Sequence, residues 1–317
     1  MKLADLPWLS EPARRAREAF ERGRFGHGIL VVAAPGLGAE VLARWLAQMA
    51  LCGNDSRPCG TCASCQLWAA GNHPDYRELR REEDATQLKV EQIRDLSAAL
   101  SLKSYRGGYK VAVIAEADAM NANAANALLK TLEEPPPSTI LVLCSARPSR
   151  LPATIVSRCQ RIDIAAPPAR DALAWLAARK PLQQWPTLLE HAAGAPVRAL
   201  ELESAGFLEL DQDMRNAVER LAARSLDILS TAERWHKKDL GLRLAWLDTW
   251  IARRVRQVLA PAAHLPPAGE IRNISGLFAL LDRVRAFKLE LDTPLNKQLA
   301  TEELLMRAET ALAAAKA

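Results

Sequence analysis

Short apolar runs that alternate with helix-length segments constrain this chain more than any other feature. Gly28-Ile29-Leu30-Val31-Val32, Lys110-Val111-Ala112-Val113-Ile114, Thr139-Ile140-Leu141-Val142-Leu143 and Arg161-Ile162-Asp163-Ile164 read as strands. Helical stretches lie between them. One runs from about Ala39 to Leu51, another from Asn121 to Glu134, where Pro135-Pro136-Pro137 stops it. The first three runs lack polar alternation and so require burial on both faces. The order predicts an α/β fold, a mostly parallel sheet with helices on both sides.

The pattern changes after Ala165-Ala166-Pro167-Pro168. No strand is expected beyond it. Residues 166–207 form a short Ala/Leu-rich helical segment, and residues 208–317 read as further helices. Leu240, Leu244, Leu247, Ile251, Val255 and Val258 recur at three- and four-residue spacing, the apolar face of one long helix. Pro261 to Pro267 should break it, with at least two helices after the break. Trp235, Trp246 and Trp250 read as core or interface residues. A chain of 317 residues fits a division at 1–165, 166–207 and 208–317.

No apolar run approaches the roughly 18 residues of a membrane span. Met1 to Ser10 carries Asp5 and Pro7 and lacks the apolar core of a signal peptide. A cytoplasmic protein is expected. The net charge of +5 permits an acidic partner such as DNA without requiring one.

The first strand runs into Ala33-Ala34-Pro35-Gly36-Leu37-Gly38-Ala39-Glu40. A Walker A loop, G-x-x-x-x-G-K-[ST], occupies this strand-to-helix position in nucleotide-binding chains. Its backbone cradles phosphate, its lysine reaches the outer phosphates and its hydroxyl holds magnesium. Aligned on Gly38, the first glycine is Ala33, the lysine is Ala39 and the hydroxyl is Glu40. A carboxylate there repels a triphosphate. The second strand ends Ile114-Ala115-Glu116, so Ala115 stands where a magnesium-binding Asp belongs and Glu116 follows it. By itself Pro35-Gly36-Leu37-Gly38 reads equally as a simple turn, and on either reading no ATP binding is expected.

Cys52, Cys59, Cys62 and Cys65 are spaced C-x6-C-x2-C-x2-C, which suits four thiolates around one structural zinc ion. An iron–sulfur cluster shares the C-x2-C-x2-C element but takes a different fourth spacing. His73 reads as a loop residue, and Cys144 and Cys159 are too remote to join.

The run Asn121-Ala122-Asn123-Ala124-Ala125-Asn126-Ala127-Leu128-Leu129-Lys130-Thr131-Leu132-Glu133-Glu134-Pro135-Pro136 and the later Ser157-Arg158-Cys159 resemble the signatures of AAA+ clamp-loader subunits of bacterial DNA polymerase III. The broken loop beside an intact Ser-Arg-Cys is similar to the delta-prime branch. The delta branch lacks both that motif and the cysteines. The resemblance implies an AAA+ domain over 1–165 with a zinc-knuckle insertion at 52–65, a helical lid over 166–207 and a helical collar over 208–317. It implies a ring with gamma or tau ATPase subunits and one delta, which places the sliding clamp on primed DNA. Arg158 would be an arginine finger acting in trans on a neighbour's ATP, with Ser157 positioning it and Cys159 packing. A guanidinium suits that work because it is permanently charged and forked. Gly194-Ala195-Pro196-Val197-Arg198 resembles the family's sensor segment, but the arginine is one position out of place, about 100° around a helix. Arg198 is assigned no nucleotide role.

Two other classes compete: an active AAA+ ATPase and a stand-alone zinc-knuckle DNA-binding protein. The basic residues Arg14, Arg15, Arg17, Arg22 and Arg24 read as a solvated or interface helix face. Lys103 to Lys110 reads as a flexible basic loop.

Overall fold

The structure is a computed structural model that describes residues 1–82, 85–259, 274–291 and 293–313. Two compact units emerge. One comprises Met1–Lys180 with Ala193–Arg198, the other Pro181–Ala192 with Ala199–Ala317.

The first unit is built on a five-stranded sheet: β1 (Gly28–Ala33), β2 (Tyr76–Leu79), β3 (Lys110–Ile114), β4 (Thr139–Ser145) and β5 (Gln160–Ile164). The order is β2-β3-β4-β1-β5, and every pairing is parallel. Every residue of β3 and β4 is buried, and β1 nearly matches them, which explains their continuous apolar sequence. The sequence reading has four strands; β2 is a fifth. It is a four-residue edge strand, Tyr-Arg-Glu-Leu, with no fully buried residue. Its one aliphatic residue, Leu79, is at its end, so periodicity passes over it.

Helices of this unit are α1 (Ser10–Glu21), α2 (Ala39–Leu51), α3 (Ala63–Ala69), α4 (Val90–Ser101), α5 (Ala122–Glu133), α6 (Ala153–Val156) and α7 (Ala169–Ala177). Leu30, Ala112, Ile114, Leu141 and Leu143 pack with Ile93 and Leu96 of α4, Leu128 and Leu132 of α5 and Ile155 of α6. Side chains alternate along strands, so Ile29, Val31, Val111, Val113 and Val142 face the opposite side, and α2 packs against β3 and β4. Asn121 caps α5, its side-chain oxygen accepting from the Ala124 N–H at 2.9 Å.

The second unit is helical among the described residues: α8 (Trp185–His191), most of α9 (Pro196–Ser204), α10 (Phe207–Ala222), α11 (Ile228–Lys237), α12 (Leu240–Leu259), α13 (Ile274–Glu290) and α14 (Lys297–Ala313). The expected apolar face of α12 is inside: Leu240, Leu244, Leu247, Ile251 and Val255 are buried. Trp235 and Trp246 are core residues, while Trp250 is half-buried and stacks on Trp246. The break expected at Pro261–Pro267 lies outside the described residues. No helix among the described residues is long and apolar enough to cross a membrane.

Candidate functional site

The loop between β1 and α2 has the left-handed glycines of a phosphate loop, but protein atoms press against it. Gly36 and Gly38 adopt φ of 82° and 89°, where a side chain is strained. A Cβ on Gly36 would lie 2.4 Å from the backbone nitrogen of Arg198, at the start of α9. A Cβ on Gly38 would lie 2.6 Å from Leu6 Cδ1. Leu6 and Leu9 are completely buried, and the Trp8 indole N–H donates to the Leu37 carbonyl at 2.8 Å. Arg198, one residue from the sensor position, thus meets the loop through its backbone.

The acidic groups beside this loop have internal partners. Glu40, in the first turn of α2, pairs with Arg80. Arg80 also reaches Glu78 at 2.6 Å, and Glu78 pairs with Arg44 at 2.8 Å and accepts from the Tyr76 hydroxyl at 2.7 Å. Burial alone would raise the Glu78 carboxyl; hydrogen bonds from Arg44, Tyr76 and Arg80 outweigh it and hold the group at about 2. Glu116 pairs with Arg81 at 3.2 Å, and Ala115 is buried. The adjacent Arg80 and Arg81 therefore take the carboxylates of Glu40 and Glu116. Neither arginine stands out in the sequence, because Glu40 and Glu116 lie 40 and 35 residues away.

Arg158 lies at the other end of the sheet. It precedes β5, on the turn after α6, and 36% of its side chain is exposed. Its guanidinium Nη2 is 2.7 Å from Glu133, and Nη1 donates to the Thr154 carbonyl at 2.9 Å. The Ser157 hydroxyl donates to that same carbonyl at 3.2 Å. Ser157 thus shares an acceptor with Arg158. Cys159 packs against the core, and burial pushes its thiol up to about 11.

The four cysteines converge. The sulfurs of Cys52, Cys59, Cys62 and Cys65 all lie within 4.8 Å of one another. Cys52 and Cys62 are 3.8 Å apart, and Cys59 and Cys65 4.0 Å. Zinc–sulfur bonds of about 2.3 Å in a tetrahedron give sulfur–sulfur edges of about 3.8 Å, so the donor set fits one zinc ion. Backbone N–H groups already point at the sulfurs: Cys59 to Cys52 at 3.4 Å, Cys62 to Cys59 at 3.3 Å, Cys65 to Cys62 at 3.5 Å. Hydrogen bonds from the Thr61 hydroxyl and backbone pull the Cys59 thiol down to about 5, whereas burial pushes Cys65 up to about 12. His73 is outside the cluster; its Nδ1 accepts from the Asp75 N–H at 3.2 Å.

The other basic segments are largely satisfied in place. In α1, Arg14 and Arg15 pair with Glu11 at 2.7 and 2.6 Å, and Arg17 lies over the Trp45 ring. The loop at 103–110 is tied down more firmly than its glycines suggest. Asp75 accepts from Ser104 Oγ and from the backbone N–H groups of Tyr105 and Arg106, at 2.7–3.1 Å. Lys110 is buried and donates to the Leu100 and Leu102 carbonyls at the end of α4.

Comparison with known proteins matches residues 10–168 to the family described as "DNA polymerase III, delta subunit". The DNA polymerase III subunit delta' of Pseudomonas aeruginosa is 38% identical over 72% of this chain and 71% of its own. That of Escherichia coli K12 is 33% identical over 96% and 95%. A DNA polymerase III gamma-subunit-related protein from Thermotoga maritima superposes with a TM-score of 0.50 at 20% identity, over 95% of this chain and 99% of that one. The last likeness concerns the fold alone.

Proposed function

Because this chain belongs to the delta-prime family of bacterial DNA polymerase III subunits, we propose that it is the non-hydrolysing member of the clamp loader and lends Arg158 to a neighbour's ATP. Its partners would be the gamma or tau ATPase subunits and delta, and the assembly would place the sliding clamp on primed DNA. It would work in the cytoplasm, at the replisome. On this reading residues 1–165 form the AAA+ domain, 166–207 the lid and 208–317 the collar.

One observation carries the reading: the loop at 33–40 and the Arg158 turn lie at opposite ends of β1. The degenerate loop follows Ala33, whereas the Arg158 turn lies beside Gly28. A six-residue strand separates them, about 17 Å at roughly 3.3 Å per residue. Arg158 is therefore badly placed for its own chain's loop and well placed for another molecule. The loop itself lacks lysine and hydroxyl, and Arg198, Leu6 and Leu9 crowd its glycines.

In the proposed reaction Arg158 pairs with phosphate oxygens as negative charge builds on the transferring group. Ser157, through the shared Thr154 carbonyl, helps hold the turn. Cys52, Cys59, Cys62 and Cys65 would hold zinc in a closed site, with no open position for chemistry. Through Cys52 at the end of α2 and Cys62 and Cys65 at the start of α3, the four thiolates would tie the two helices together when zinc is bound.

The test is Arg158→Ala in a reconstituted clamp loader, read as clamp-stimulated ATP hydrolysis. Hydrolysis should fall while the assembly stays intact. Unchanged hydrolysis and loading would overturn the finger assignment. Tight magnesium-ATP binding with turnover by the isolated chain would instead favour an active ATPase. Sequence-selective DNA binding by the chain alone would favour the stand-alone zinc-knuckle reading.

A further inference from the structure

We infer that Glu133 is the positioning residue of Arg158: its carboxylate fixes the guanidinium in the orientation from which it meets the neighbour's phosphate. The inference rests on Arg158 being the trans arginine.

Glu133 is the last residue of α5. A carboxylate at a helix C-terminus faces the negative end of the helix dipole. Helix stability therefore gives no reason for an acid there, and a basic residue would serve better. Its partner in the structure is Arg158, at 2.7 Å.

Both backbones that carry this pair are fixed. Leu132, next to Glu133, is 1% exposed, and its carbonyl lies 2.9 Å from the His27 ring nitrogen. The Arg158 N–H donates to the Ile155 carbonyl at 3.1 Å. The two segments meet over Gly28. A Cβ there would lie 3.0 Å from the Arg158 carbonyl oxygen and 3.0 Å from Leu132 Cδ2. The close approach of the α5 end and the Arg158 turn thus depends on a residue without a side chain at the start of β1.

Arginine on a surface turn samples many rotamers, and each must be lost before it can meet a phosphate. Here Nη2 is ion-paired with Glu133, and Nη1 donates to the Thr154 carbonyl. The ion pair and the hydrogen bond act on different nitrogens and so restrict the group, and the remaining N–H donors are left for an incoming anion. The pair is half-exposed, at 36% and 49%. Such pairs are weak, so Glu133 orients Arg158 without sequestering it.

The experiment uses the reconstituted clamp loader with clamp and primed DNA, and measures the part of ATP turnover that Arg158→Ala removes. Glu133→Ala should cut that part about 3- to 10-fold through kcat, with KM for ATP unchanged, because ordering of the arginine is lost while the neighbour still holds the nucleotide. Glu133→Gln keeps an acceptor oxygen and should restore most of the rate. Glu133→Ala should add nothing in the Arg158→Ala background. A wild-type rate for Glu133→Ala, a raised rate, or an equal loss in the absence of Arg158 would each overturn the inference. If Arg158→Ala itself has no effect, the finger reading fails; if it impairs turnover and Glu133→Ala does not, only the role of Glu133 fails.

Discussion

The loop at 33–40 and the turn at 157–159 sit at opposite ends of β1 and have opposite fates. At the loop, the Leu37 carbonyl is bonded to Trp8, Glu40 is paired with Arg80, and Gly36 and Gly38 touch Arg198 and Leu6. At the turn, the guanidinium of Arg158 has two light contacts and remains partly in solvent. On the proposed reading, the difference teaches that losing a nucleotide site involves more than losing a lysine. Charges left at the site need new partners, and the space needs filling.

The largest effect that tests this contrast comes from exchanging the chemistry of the two ends. Arg158→Ala should lower hydrolysis at the one adjoining ATP site by at least about 10-fold, since trans arginines contribute ~10³–10⁵ in other nucleotide hydrolases. Ala39→Lys with Glu40→Thr restores the Walker residues on paper, yet should not create magnesium-ATP binding tighter than about 1 mM by calorimetry, because Arg198 and Leu6 still crowd the glycines. Tight binding by that variant would mean that side-chain chemistry alone closed the site.

The far end of α2 offers the next largest effect. This helix starts at the broken loop and runs into Cys52. Metal analysis should find one zinc per chain. Strong chelation, or Cys62→Ser with Cys65→Ser, should lower the melting temperature by several degrees, since metal binding is folding free energy in such knuckles. An unchanged melting curve after complete zinc removal would reject a structural role.

A glycine pair separates crowding from backbone strain. Gly36→Ala puts a methyl 2.4 Å from backbone of Arg198 and should cost roughly 2–4 kcal/mol in denaturant unfolding, strain plus clash. Gly60→Ala has a similar positive φ, 74°, with nothing within 4 Å, and should cost only about 1 kcal/mol. Equal costs would show that Arg198 does not press on the loop.

The smallest effect is in acid. The Glu78 carboxyl is held at about 2 in the folded chain against an ordinary 4.5. A depressed folded value adds stability that is fully present above about pH 4.5 and is lost as pH falls toward 2. Glu78→Gln should flatten the stability curve within that window and change little of its pH dependence above it.

Much of this was legible in the chain itself. Continuous apolar runs gave the buried strands, since both faces of a parallel sheet need apolar cover. Four cysteines within fourteen positions pointed to a metal knuckle, and their sulfurs do converge. Strand β2 was not legible, because Tyr76–Leu79 carries one aliphatic residue at its end, whereas the other edge strand, β5, has Ile162 and Ile164 at strand spacing. Lys110 and Asp75 look like ordinary surface charges in sequence, and only the fold shows them buried as caps and ties within one loop.

Local chemistry was therefore settled by the sequence: the absent lysine and hydroxyl, the retained Arg158, the cysteine spacing. Each depends on which residue stands at a position, or on a spacing short enough to be read along the chain. The tertiary structure alone decided what packs against the loop at 33–40, which arginines pair with Glu40 and Glu116, and that Glu133 pairs with Arg158. Those partners lie 25 to more than 100 residues apart, and only packing on the sheet brings them within reach.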